Sequence, residues 1–158
     1  MALSSLNTKE VSNKGRAVAL LHPATQVSIG VRFFVLGADS DEYRRIQREQ
    51  QARRTEKQKK NRRGIYLESP EETEANNLDL LVGLTTGWEE DVTDADGKVT
   101  GVRSEIELNE GEFLPFSPEN VRRIYADLGY RWIYELVDAE IGDRRDFLPK
   151  GSNSSPTT

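Results

Sequence analysis

The sequence predicts an α+β fold: an N-terminal β-hairpin, a long basic helix, a core helix, a short acidic β segment and a C-terminal helix pair. Three observations carry this expectation. Residues 26–36 alternate apolar and polar or small side chains with period two, the pattern of a strand with one buried face. Residues 41–61 contain no Gly or Pro and are rich in good helix formers. Ser69-Pro70-Glu71 and Ser117-Pro118-Glu119 each place a hydroxyl cap, a proline at the first helical position and an acid near the positive helix end, just ahead of apolar residues at helical spacing.

Taken in order, residues 1–14 are polar and read as a flexible N-terminus. Arg16–Leu21 is a short apolar run, broken by His22-Pro23-Ala24-Thr25. Val27, Ile29, Val31, Phe33 and Val35 then define one face of a strand, so the two runs predict an antiparallel hairpin. A lone hairpin is marginal, and this one needs a helix or another strand on its apolar face. Asp39 or Ser40 caps the helix expected over 41–61, whose few apolar residues predict a solvated basic rod. The helix opened by Ser69 carries Ala75, Leu78, Leu81 and Val82 and is expected to stop near Gly87, with Trp88 just beyond.

Residues 89–112 are acidic and turn-rich. Asp96-Gly97 predicts a type I′ hairpin turn. Val99, Val102, Ile106 and Leu108 fit one or two short strands, and Asn109-Glu110-Gly111 a turn into Phe113–Phe116. The Ser117 helix carries the stripe Val121, Ile124, Tyr125 and Leu128, with Gly129 as its left-handed stop. A second helix follows with Ile133, Leu136, Val137 and Ile141. These two helices are too short to stand alone in water, so their stripes must be covered.

At 158 residues the chain is expected to form one domain over 15–147, followed by a disordered tail over 148–158 by composition. Apolar residues make up 35%, which implies a small core. With no cysteine, disulfide frameworks and thiol nucleophiles are excluded. The N-terminus has no apolar run resembling a signal peptide, and no stretch approaches the 18 apolar residues or more of a membrane span. The net charge of −5 conceals segregation: residues 44–63 hold ten basic and two acidic residues, residues 68–116 fourteen acidic and two basic. Such blocks attract each other within one molecule or recruit different partners.

No catalytic or metal-binding residues are predicted, and no cofactor. Asp94-Ala-Asp96-Gly97 resembles the start of a calcium loop, but the template's remaining ligand positions hold Val92 and Arg103, so a hairpin turn is expected there. His22 is the single histidine, too few for zinc and poorly placed for a hydrolytic triad. Glycine-rich phosphate loops are absent from the sequence. The expectation is therefore a protein that works by binding. The candidate partner-binding residues are Arg44, Arg45, Arg48, Arg53, Arg54 and Lys57 on the basic helix, and Tyr125, Trp132 and Leu136 on the C-terminal pair. The alternative is a nucleic-acid-binding accessory protein using the 44–63 helix, against which stand the acidic pI of about 5.1 and the lack of interleaved aromatics.

Three groups of residues resemble a known family. They are Val35-Leu-Gly-Ala-Asp-Ser-Asp-Glu-Tyr-Arg44, Leu78–Trp88, and Phe116–Tyr125 leading to Trp132–Val137. In their order they resemble the tail assembly chaperones of long-tailed, lambda-like bacteriophages. The resemblance implies a non-catalytic protein of the host bacterial cytoplasm, absent from the mature virion. It implies binding to the tape measure protein and recruitment of tail tube subunits; the residues themselves predict no membrane partner and make nucleic acid the less favoured one. Members of this family are often made in two lengths by ribosomal frameshifting. Leu148-Pro149-Lys150 can be encoded with a slippery run, so a longer, frameshifted form of the chain is a further expected partner.

Overall fold

The computed structural model describes residues 2–61 and 63–148. Its elements are α1 (Thr8–Lys14), β1 (Arg16–Leu21), β2 (Ser28–Val35), α2 (Asp41–Lys60), α3 (Pro70–Leu84), β3 (Thr85–Thr93), β4 (Val99–Arg103), β5 (Glu105–Asn109), β6 (Glu112–Pro115), α4 (Pro118–Ala126) and α5 (Arg131–Gly142). Short 3₁₀ turns lie at Leu3–Leu6, Leu128–Tyr130 and Arg144–Phe147. β1-β2-β3-β4 form one antiparallel sheet in that order, and β5-β6 a separate two-stranded ribbon. The α+β class and the order of parts are as the sequence predicts. The tail expected over 148–158 falls, from Pro149 onward, outside the described residues.

Alternation in the strands decides where the core sits. Val18 and Leu20 of β1, Val31, Phe33 and Val35 of β2, and Trp88 of β3 all point to the face that carries the helices. There they meet Leu81 and Leu84 of α3, Val121, Ile124 and Tyr125 of α4, and Ile133, Val137 and Ile141 of α5. Phe33 is the centre, with its ring 5.4 Å from Trp88 and 6.0 Å from Tyr125. The indole N–H of Trp88 donates to the Leu114 carbonyl at 3.2 Å, which ties the β5-β6 ribbon to this core.

Several local expectations are corrected. The core helix ends at Leu84 rather than near Gly87, and Thr85–Thr93 is a central strand that sequence reasoning did not foresee. Acidic residues are poor strand formers. Here the Arg32 guanidinium holds Glu89 at 2.6 Å and Asp91 at 2.7 Å across the sheet, and Arg103 holds Glu90 at 2.8 Å. Val27 and Ile29 do not continue the buried face of β2. Gly30 takes φ +81, the register with β1 slips there, and both side chains stay exposed, at 64% and 44%.

The 94–98 turn is not type I′. Of its residues only Gly97 has positive φ, and Gly97 N–H donates to the Asp94 carbonyl while Asp94 N–H donates to that of Lys98. That is a type I turn closed by a left-handed glycine, with the Asp94 carboxylate accepting from the Asp96 and Lys98 amides. Gly129 is not a left-handed stop. α4 ends at Ala126, and the Asp127 side chain accepts from Gly129 N–H and starts a 3₁₀ turn. Leu128 therefore leaves the stripe and is 80% exposed.

Residues 3–6 form a 3₁₀ turn and residues 8–14 a short helix that touches the rest of the chain. Asn7 caps α1 through Lys9 N–H, Ser12 is buried, and Asn13 exchanges hydrogen bonds with Asp41 at the start of α2. Phe147 closes the same corner from the other end of the chain. Its ring is buried beneath the Arg16 guanidinium, which also pairs with Glu140 and Asp146.

Candidate partner-binding surface

α2 starts where the sequence places it. Ser40 accepts from Tyr43 N–H, and Asp41 and Glu42 occupy the positive end of the helix. Twenty residues long, it extends about 30 Å. Among its side chains only Ile46 and Gln50 are buried, both against α3. Gly83 makes this possible: a Cβ there would lie 2.5 Å from Ile46 Cδ1, so the helices approach over a residue without a side chain. Gln50 adds a hydrogen bond to the Asn76 carbonyl at 2.8 Å.

Glu42, Tyr43 and Arg54 are half-buried, the other α2 residues face water, and the charges of the helix divide in two. Arg45 is held by Glu42 and Glu49 on its own helix, Arg54 by Glu68 at 2.7 Å, Lys57 by Glu72 at 3.3 Å, and Lys59 by Glu56 at 3.7 Å. Arg44, Arg48, Arg53 and Lys60 have no carboxylate within 4 Å among the described residues. Of the predicted cations, then, Arg44, Arg48 and Arg53 are unneutralised, whereas Arg45, Arg54 and Lys57 serve internal pairs. Concave surface follows one side of α2. A groove of about 460 Å³ is lined by Tyr43, Arg44, Gln47, Arg48 and Gln51 together with Asn77 of α3. It shares Gln51 and Arg54 with a second groove that ends at Tyr66 and Glu68. The N–H of Tyr66 and its hydroxyl are engaged by Gln58 and Glu72, while its neighbours Ile65 and Leu67 are each 81% exposed.

The C-terminal candidates fall in different places. Tyr125 is a core residue, 2% exposed, with its hydroxyl 2.8 Å from Thr85 Oγ1. Burial pushes its phenol well above the usual tyrosine range. It is therefore removed from any surface a partner can touch in the folded chain. Trp132 and Leu136 are half-buried on α5, packed against the edge of the core. The structure does not bring them together with the α2 cations: α5 packs on β1, α3 and α4, whereas α2 packs on α3 and α1.

The acidic half builds a second surface. β3 begins at the end of the sheet where α3 delivers the chain and runs nine residues, about 30 Å, to the 94–98 turn. That turn and all of β4 up to Val102 are exposed, including Val99 and Val102 at 53% each. Asp96, Glu105 and Glu110 have no cation within 4 Å among the described residues, whereas Glu89, Glu90, Asp91 and Glu112 are all paired with arginines. Sequence reasoning missed Ile65, Leu67 and Leu128. The signal for Ile65 and Leu67 is large apolar residues in a stretch with no helical or strand period, whereas Leu128 sits at the helical spacing of the α4 stripe and is exposed because the helix ends at Ala126. No family model matches the chain, and no curated protein and no solved structure is significantly similar to it.

Proposed function

We infer that this chain is a non-catalytic tail assembly chaperone of a long-tailed phage, acting by binding the tape measure protein and helping to recruit tail tube subunits. The observation that carries the reading is the convergence of the three resembling stretches. Val35 at the end of β2, Leu81, Leu84 and Trp88 from the α3–β3 passage, Val121, Ile124 and Tyr125 of α4, and Val137 of α5 all pack into one core. A likeness spread over separate stretches thus falls on residues that depend on one another. The exposed apolar residues Ile65, Leu67 and Leu128 and the unneutralised cations of α2 supply surface for a helical partner. Glu42, Glu49, Glu56, Glu68 and Glu72 neutralise much of α2, which weighs against the nucleic-acid alternative.

The test is co-expression with the long helical product expected from a neighbouring downstream gene. That product is expected to be soluble with this chain and insoluble without it, and to be recovered with it on affinity purification. Equal solubility in both cases, with no recovery, rejects the reading. The proposed longer form is checked separately, on the gene: a coding sequence with no slippery run at Leu148-Pro149-Lys150 removes it.

A further inference from the structure

In the loop between α2 and α3 two aliphatic side chains are held in water by a built support. Ile65 and Leu67 are each 81% exposed, while Tyr66 between them turns inward. The Gln58 amide accepts from Tyr66 N–H and donates to the Gly64 carbonyl at 3.0 Å. Lys57 Nζ lies 5.6 Å from the centre of the Tyr66 ring, whose hydroxyl donates to Glu72. The loop is thus pinned to both helices with Ile65 and Leu67 facing outward. Glu71, four residues after Leu67, lines a cleft of about 230 Å³ with Glu74, Ala75, Leu78 and Leu128, the last 80% exposed. Four residues reach at most about 14 Å, so loop and cleft share one end of α3.

Charge divides across this patch. Glu56, Glu68 and Glu72 are taken by Lys59, Arg54 and Lys57, which leaves Lys60 and Arg63 beside the loop with no carboxylate within 4 Å among the described residues. On the cleft side Glu71 has no cation within 4 Å among the described residues, and Glu74 shares Arg131, 3.9 Å away, with Glu135. One patch therefore carries apolar side chains, a cationic side and an acidic side.

We propose that this patch is a two-fold interface: Ile65 and Leu67 of one copy seat at the cleft beside Leu128 of a second, whose own loop does the same in return. The occupant is identified because the patch is its own complement. A two-fold contact sets one surface against itself, so it needs both signs of charge beside its apolar residues. Rotation brings Lys60 and Arg63 of each copy toward Glu71 and Glu74 of the other. An anionic lipid surface or a nucleic acid would instead meet those two carboxylates as repulsive groups. The contact covers Ile65, Leu67 and Leu128 in both copies at once, and being isologous it stops at two. The inference stands on this patch alone. Under the chaperone reading, the second copy holds these apolar residues until the helical partner displaces it.

The test is sedimentation velocity on the purified chain over a concentration series. The weight-average mass is expected to rise with concentration from 17.9 kDa to twice that value and to stop there. Ile65→Ser/Leu67→Ser, at two exposed positions, is expected to associate roughly tenfold more weakly or worse. Two charge reversals, Lys60→Glu/Arg63→Glu and Glu71→Lys/Glu74→Lys, are each expected to weaken association by a similar factor, because like charges then face each other twice. Their equal mixture is expected to dimerise as wild type does, since every reversed charge meets its opposite in both halves of the contact. A wild-type chain that stays monomeric up to about 1 mM overturns the proposal. So does growth beyond two copies, a variant that dimerises like wild type, or a mixture that gains nothing over its components. If the wild-type chain instead stays monomeric and binds phosphatidylglycerol vesicles through Ile65 and Leu67, the loop belongs to a lipid surface and the proposal is equally overturned.

Discussion

At Gly37 two distant parts of the chain, Ser12 of α1 and Phe147, come within reach of one Cα. A Cβ there would lie 2.5 Å from Ser12 Oγ, 2.9 Å from Ser12 Cβ and 3.0 Å from Phe147 Cδ1. Gly37 N–H also donates to the Ser12 carbonyl, so the backbone has little room to move away. Gly37→Ala is expected to lower unfolding free energy by about 1–3 kcal/mol in urea melts, the usual cost of overpacking. Ser12→Gly in the same chain should recover part of the loss. Tyr125 allows a second prediction. Its folded phenol is raised above the unfolded value near 10, so its contribution to stability is complete below about pH 10 and is lost as pH rises through the folded value. In an alkaline titration followed by phenolate absorbance, Tyr125 is expected to ionise only together with unfolding, beside Tyr134, whose phenol burial also raises, and Tyr125→Phe is expected to reduce the amplitude of that late step.

At the scale of elements, α2 is held to the body by little apolar surface. Ile46 lies over Gly83, and beyond Gln50 the attachment is polar: Arg54 to Glu68 and Lys57 to Glu72. Gly83→Val puts two methyl groups where Ile46 now sits. It is expected to lift α2 from α3 while leaving the sheet core in place. Limited trypsin digestion should then cut within residues 44–60 much faster than in wild type, with little change in near-ultraviolet signal from Trp88. Cleavage at the wild-type rate means that α2 is anchored elsewhere. β3 shows the reverse case, an element with weak local preference held firmly from both sides. Its acids are tied by Arg32 and Arg103, and Trp88 fills the core beneath. From the sequence, TTGWEEDV looked like the end of a helix followed by an acidic loop. The pairing that makes it a strand comes from arginines 57 and 13 residues away.

Across the whole molecule, carboxylates are held by hydrogen bonds, some between distant segments, as Asp39 to Arg144 and Asp91 to Arg32, and some within a turn, as Asp143 to Arg145 and Glu112 to Asn109. Asp39 lies well below the usual range because Arg144 hydrogen-bonds it, with help from Thr8, and Arg54, Arg32, Asn109 and Arg145 do the same to Glu68, Asp91, Glu112 and Asp143. Depressed folded values contribute stability that is present above the unfolded value near 4 and is lost as pH falls through the folded values. The melting temperature is therefore expected to be flat from pH 7 to about pH 5 and to drop steeply below about pH 4. High salt should blunt the drop by screening these largely exposed pairs. An unchanged melting temperature at pH 3 would show that the pairs do not contribute.

The sequence by itself determined the elements whose signals are local. The β1-β2 hairpin, the extent of α2, both Ser-Pro helix starts and the stripes Val121–Tyr125 and Ile133–Ile141 were legible because capping chemistry and periodicity act over a few residues. So was the separation of charge along the chain. Only the tertiary structure decided what depends on neighbours far away in sequence. It made an acidic stretch the third strand, buried Tyr125 beside Thr85, left Leu128 in water and drew α1 into the fold. It also paired the two charge blocks in part, through Arg54 to Glu68 and Lys57 to Glu72. The physical reason is that a side chain's preference can be read from its own chemistry, but the energy of burying or pairing it belongs to the groups it meets.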